Sequence, residues 1–113
     1  MLMNLSENLL LVVPATESER PDIFEPPFQR LGDDIVSRAG PDGGLVYGGC
    51  GDARRADRSL IEIRLDFFFN HFDLAVAALR RVGDEMGWPS GTILKHVVRH
   101  DSGDFNFKDL ETW

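Results

Sequence analysis

Leu60-Ile61-Glu62-Ile63-Arg64-Leu65-Asp66-Phe67 alternates apolar and charged residues from Ile61 onward, and this stretch decides how the rest of the chain is read. Successive strand side chains point to opposite faces. Ile61, Ile63, Leu65 and Phe67 therefore share one side, and Glu62, Arg64 and Asp66 the other. One buried face and one wet face is the habit of antiparallel sheets. The period then changes. From Phe72, the residues Ala75, Val76, Leu79, Val82 and Met86 recur at helical spacing and form one stripe, while Arg80, Arg81, Asp84 and Glu85 take the opposite side. Asn70 is placed to cap this helix and Asp73 adds negative charge to its first turn. Gly87 suits a left-handed end and Pro89 forbids continuation, so the helix is expected over about 72–86. Thr92 to Arg99 reads as a further strand.

Working outward, Asn8 to Val13 is a continuous apolar run ended by Pro14, which fits one buried strand. Residues 14–30 carry Pro14, Pro21, Pro26 and Pro27 among charges and read as an irregular connection, draped over the surface by Ile23, Phe24 and Phe28. Asp33 to Arg38 reads as a short strand. Gly40-Pro41-Asp42-Gly43-Gly44 follows as a turn and Leu45-Val46-Tyr47 as its hairpin partner. Gly51 to Ser59 reads as a polar loop, and 101–113 as a short edge strand or a tail anchored by Phe105, Phe107, Leu110 and Trp113. The expected fold is one α+β domain over 1–113: a mainly antiparallel sheet of four to six strands with one principal helix packed on one face.

Composition narrows the function classes. The formal charge is −7, and residues 1–34 hold Glu7, Glu17, Glu19, Asp22, Glu25, Asp33 and Asp34 against Arg20 and Arg30. That field repels phosphate backbones and anionic lipid, which makes nucleic acid and membrane poor partners, and it steers basic proteins inward. Leu9 to Val13 is too short to span a bilayer, and no signal-peptide pattern is present. A single cysteine, Cys50, fits a reducing compartment, so a cytoplasmic protein is expected.

The chemistry-bearing residues are few. His96 and His100 share a strand face but lie roughly 13 Å apart, too far to converge within about 2 Å of one ion, so no metal site is expected. The glycines around 43–51 are not followed by a helix, which removes the phosphate-loop reading and leaves turns and bulges. Arg54, Arg55 and Arg58 alternate with Asp52 and Asp57 as a self-compensated loop. Cys50 between Gly49 and Gly51 is the one catalytic candidate; a nucleophilic role would need a histidine or a positive neighbour beside it. No cofactor signature is present, and no carboxylate pair has assignable acid and base roles.

From Gly44 through Gly87-Trp88-Pro89-Ser90-Gly91-Thr92 the chain resembles small, mostly uncharacterised bacterial proteins with a Gly-rich hairpin, an alternating strand, one Ala/Leu-rich helix and a closing Gly-x-Pro-x-Gly-[Ser/Thr] turn. Some proteins of this size and acidity are toxin-neutralising immunity proteins. The resemblance covers about half the chain and transfers no functional residue. The expected function is a non-catalytic protein-binding module, an immunity-type inhibitor of a basic partner, with Glu17, Glu19, Asp22, Glu25, Glu62, Arg64 and Asp66 as contact residues. The alternative is a small enzyme or ligand-binding domain that uses Cys50 with a histidine. An uncovered edge strand offers a route to a homodimer.

Overall fold

Five antiparallel strands and two helices make up the computed structural model, which describes residues 7–14 and 29–113. The strands are β1 Glu7–Pro14, β2 Val46–Arg54, β3 Leu60–Phe68, β4 Ile93–Arg99 and β5 Phe105–Thr112. The helices are α1 Gln29–Ala39 and α2 Phe72–Met86. The sheet order is β2-β3-β1-β4-β5, so β1 is central, as its unbroken apolar run requires. β3 and β4 are both antiparallel to β1 and hence parallel to each other, with α2 as the crossover between them. The order 2-3-1-4 of a β-α-β-β-α-β chain is the double split βαβ arrangement of ferredoxin-like folds. β5 extends it at the β4 edge.

Both helices lie on the same side of the sheet. Leu9, Leu11 and Val13 of β1, Ile63, Leu65 and Phe67 of β3 and Leu94 of β4 form a buried layer with Ile35 and Ala39 of α1 and Ala75, Val76, Leu79 and Val82 of α2. Arg81 of α2 donates to the carbonyls of Arg38 and Ala39, which places a cation at the negative end of α1.

Helix α2 spans Phe72–Met86 as its stripe requires, and Gly87 closes it in the left-handed region (φ 67°, ψ 64°). Its cap is one residue later than expected. His71 accepts the Leu74 amide through Nδ1, while the Asn70 amide is already bonded to the Gly43 carbonyl.

The segment read as a strand over Asp33–Arg38 is helical instead, as part of α1. Leu31, Ile35 and Ala39 recur every four residues and face the core, and Gly32 lets the Tyr47 ring lie against the helix. The Gly40–Gly44 segment therefore links a helix to β2 through a 3₁₀ turn at Asp42–Gly44, and the hairpin partner of β2 is β3. The expected polar loop shrinks to residues 55–59, because β2 continues through Gly51, Asp52, Ala53 and Arg54. The glycine reading holds: the register slips between Tyr47 and Gly49, a bulge. At the end of β2 Arg54 pairs with Asp52, so the expected charge compensation is seen at these two residues. In the loop, Asp57 accepts from Ser59, while Arg55 donates to the Ser59 hydroxyl and the Leu60 carbonyl.

The C-terminal residues form the edge strand β5, with Leu110 and Trp113 packed on the core and Phe105 and Phe107 exposed. Residues 15–28 lie outside the described part, and with them Ile23, Phe24 and Phe28 and most of the expected 14–30 connection. Pro14 belongs to β1, while Gln29 and Arg30 belong to α1.

Candidate functional site

Among the described residues, both helices cover one face of the sheet; the other face carries no helix and is open except around the buried Asn8 and Val97. Its side chains follow from register alone. Leu10 of β1 stands between Asp66 of β3 and Lys95 of β4. Asp66 is next to Gly49 of β2, and Lys95 next to Asp109 of β5. One row therefore reads Gly49, Asp66, Leu10, Lys95, Asp109. The next reads Gly51, Arg64, Val12, Ile93. On the other side of the first row lie Val46 and Phe68 on β2 and β3, then Asn8, Val97 and Phe107 across β1, β4 and β5. These rows form a groove of ≈ 820 Å³ with Leu10, Val12 and Ile93 on its floor, Glu62, Arg64 and Asp66 along β3, and Phe107 at the far edge.

Glu62, Arg64 and Asp66, the three sheet residues expected from alternation, thus come together on this face. Glu17, Glu19, Asp22 and Glu25 lie outside the described residues. The charges of the groove are paired inside it. Arg64 bonds Glu62 at 2.6 Å, and Lys95 lies 3.2 Å from Asp109. Asp66 accepts from the amide of the fully buried Asn8 (2.8 Å), whose oxygen accepts from Arg99 (2.6 Å). Arg99 in turn lies over the Phe105 ring at 5.7 Å.

Burial pushes the Asp66 carboxyl upward, against the pull of Arg99 and of the Asn8 hydrogen bond. An acid with a raised folded-state pKa contributes stability that is present at low pH and lost as pH rises through that pKa. Asp66→Asn keeps an oxygen for Asn8 and removes the desolvated charge. The variant should therefore gain on the wild type as pH rises from acid to neutral, in urea titrations at a series of pH values. A constant difference across that range would refute the desolvation argument.

Cys50 is exposed on edge strand β2, opposite Leu65. The sheet order puts three strand intervals, roughly 14 Å, between it and β4, which carries His96. His96 is engaged elsewhere: its Nε2 lies 3.1 Å from Glu7, and its ring 4.6 Å from that of Phe72. His71 caps α2 and His100 follows β4 in an exposed turn. The register does not bring any histidine to Cys50.

The neighbour that Cys50 does have is Tyr47. This phenol is closed off from solvent, with no well-formed hydrogen bond among the described residues. Desolvation, with the nearby thiol second, holds it well above its usual range. Its ring packs 5.7 Å from Phe67. Tyr47→Phe removes an unsatisfied hydroxyl and keeps that ring, so a stability gain of up to about 1 kcal/mol is expected in thermal unfolding. A loss of that size would mean that the hydroxyl is bonded after all.

Sequence reasoning missed Leu10, Val12, Ile93, Lys95 and Phe107. The Ile93-Lys95-Val97 and Phe105-Phe107 alternations carried the signal, but assigning them to the face of Glu62 needed the strand order. Comparison with known proteins gives no match among family models, curated proteins or solved structures. No helix of the described residues is long and apolar enough to cross a membrane.

Proposed function

We propose that this protein is a non-catalytic protein-binding module that works through its open sheet face. One observation carries the reading: large apolar side chains are exposed around a groove whose charges are already paired within it. Val46, Phe105 and Phe107, 49%, 53% and 58% exposed, all sit on this face. Exposed apolar clusters rimmed by polar residues mark protein contacts. Internally paired charges suit a surface that excludes water on association more than one that moves protons.

The finer reading is an immunity-type inhibitor of a basic partner in the reducing cytoplasm. The charge of −7, the exposed free Cys50 and the resemblance in residues 44–92 support it. The test is association with the product of the adjacent open reading frame. A complex is expected that weakens with added salt and is lost in Phe107→Asp, whose circular dichroism matches the wild type. Equal binding by wild type and variant, or none by either, would defeat the reading. Cys50-dependent turnover of an activated ester would favour the enzyme alternative instead.

A further inference from the structure

We infer that the partner this face is built for is a second copy of the chain, packed face to face about a two-fold axis that runs along β1. The inference rests on the coarser protein-binding reading alone and puts a second copy, in place of a basic partner, on this face. Such an axis reverses left and right, so the second copy's β4 lies over β3 and its β5 over β2.

The consequences follow row by row. In the row through Leu10, the second copy's Lys95 meets Asp66 and its Asp66 meets Lys95, while Leu10 meets its own counterpart. In the next row Val12 meets Val12. In the row of Asn8, the second copy's Phe107 comes over Val46, while Asn8 and Val97 are already buried within each copy and add no contact surface. Every charge opposite a charge is of opposite sign, and the centre is aliphatic. Aligned sheets pack at about 30°, which shifts the inner strands by less than one residue and leaves the Asp66–Lys95 contacts in reach.

Relief agrees with charge. The β5 edge stands proud, with Phe105 and Phe107 stacked at 6.3 Å between ring centroids. The β2 edge is bare at Gly49 and Gly51, where a Cβ would meet nothing within 4 Å, whereas Gly48 lies against the Phe68 ring. An axis along β1 lays each projecting edge over the other copy's hollow. An axis across the strands would put phenylalanine on phenylalanine and leave glycine facing glycine. Five strands of about seven residues present roughly 500 Å² in projection. Side-chain relief brings the accessible area toward the ~800 Å² per partner of a standard interface.

Sedimentation velocity from low micromolar to near-millimolar protein tests the inference. Wild type should double in mass with concentration. Phe107→Lys removes the projection, and Gly51→Lys fills the hollow at the opposite edge in open space where the monomer tolerates it. Each should raise the dimer dissociation constant at least tenfold. Lys95→Glu should do the same, with recovery when combined with Asp66→Lys. A dimer that ignores Gly51→Lys would overturn the proposal in favour of pairing along the β5 edge. A monomer at every concentration would overturn it too, and would leave the heterologous reading to be judged on the adjacent gene product.

Discussion

Replacing Gly43 with alanine is expected to destabilise the protein by about 3 kcal/mol, with urea unfolding as the measurement. Gly43 sits in the 3₁₀ turn between α1 and β2 with φ +75°, where a side chain costs about 1 kcal/mol. Space is the larger problem. An added Cβ would lie 2.5 Å from both Cα and N of Ala75, which are backbone atoms of α2. A flexible side chain could turn aside, but a helix backbone must move as a body. Overpacking of this kind costs about 1–3 kcal/mol. The same residue also holds the start of α2, because its carbonyl accepts from the amides of Asn70 (2.8 Å) and His71 (3.2 Å). Gly40 supplies the control: its φ is +71°, yet a Cβ there meets nothing within 4 Å. Gly40→Ala should cost only the conformational part, about 1 kcal/mol. Equal losses at the two positions would show that contact with α2 plays no part.

The loss at Gly43 could not have been foreseen from the Gly40–Gly44 run, which carries the composition of any turn. Local periodicity was readable, and it placed β3, α2 and β4 within a residue or two, because the alternation of 60–67 and the stripe of 72–86 are each long enough to declare a period. α1 escaped for the opposite reason. Asp33-Asp34-Ile35-Val36-Ser37-Arg38 contains only one turn's worth of the Leu31, Ile35, Ala39 spacing, and Ile-Val in so short a window favours strand. Tertiary contact with Tyr47 and α2 decides it.

The candidate site divides along the same line. Glu62, Arg64 and Asp66 were visible because they alternate within one strand. The groove was not, since it needs β1 between β3 and β4 and the bare β2 edge beyond. These are pairings between residues more than fifty apart in sequence, such as Leu10 with Asp66 and Leu10 with Lys95. The acidic residues of the N-terminal third were assigned by charge alone, and charge density says nothing about which face a residue joins.

Gly83→Ala tests the anchoring of the open face from behind, and its sign is the informative part. In an exposed helix this substitution stabilises by about 1 kcal/mol, because alanine is the better helix former. Here two indoles occupy the place of the missing side chain. A Cβ would lie 2.4 Å from Cδ1 of Trp88 and 2.5 Å from Cζ2 of Trp113. Trp88 is only 7% exposed and its Nε1 is sealed against this helix, so it has nowhere to go. Overpacking of about 3 kcal/mol should outweigh the propensity gain and leave a net loss of about 2 kcal/mol. Trp113 is the less confined ring, and it is also what ties β5 down. Its Nε1 donates to Asp84, its amide to the Thr92 carbonyl, and its own carbonyl accepts from Gly91. Displacing it should loosen the strand that presents Phe105 and Phe107. Amide exchange in β5 should therefore accelerate more than in β1 or β3. Trp88 and Trp113 are the only two tryptophans, so intrinsic fluorescence reports the change directly. Trp113→Leu in the Gly83→Ala background should recover part of the stability, because neighbours that share one space do not add. A stabilised Gly83→Ala protein with unchanged fluorescence would mean that the indoles do not pack on the helix as described. β5 would then be held by the β4 ladder, by Leu110 on the core and by Arg80, which donates to the Leu110 carbonyl and pairs with Glu111.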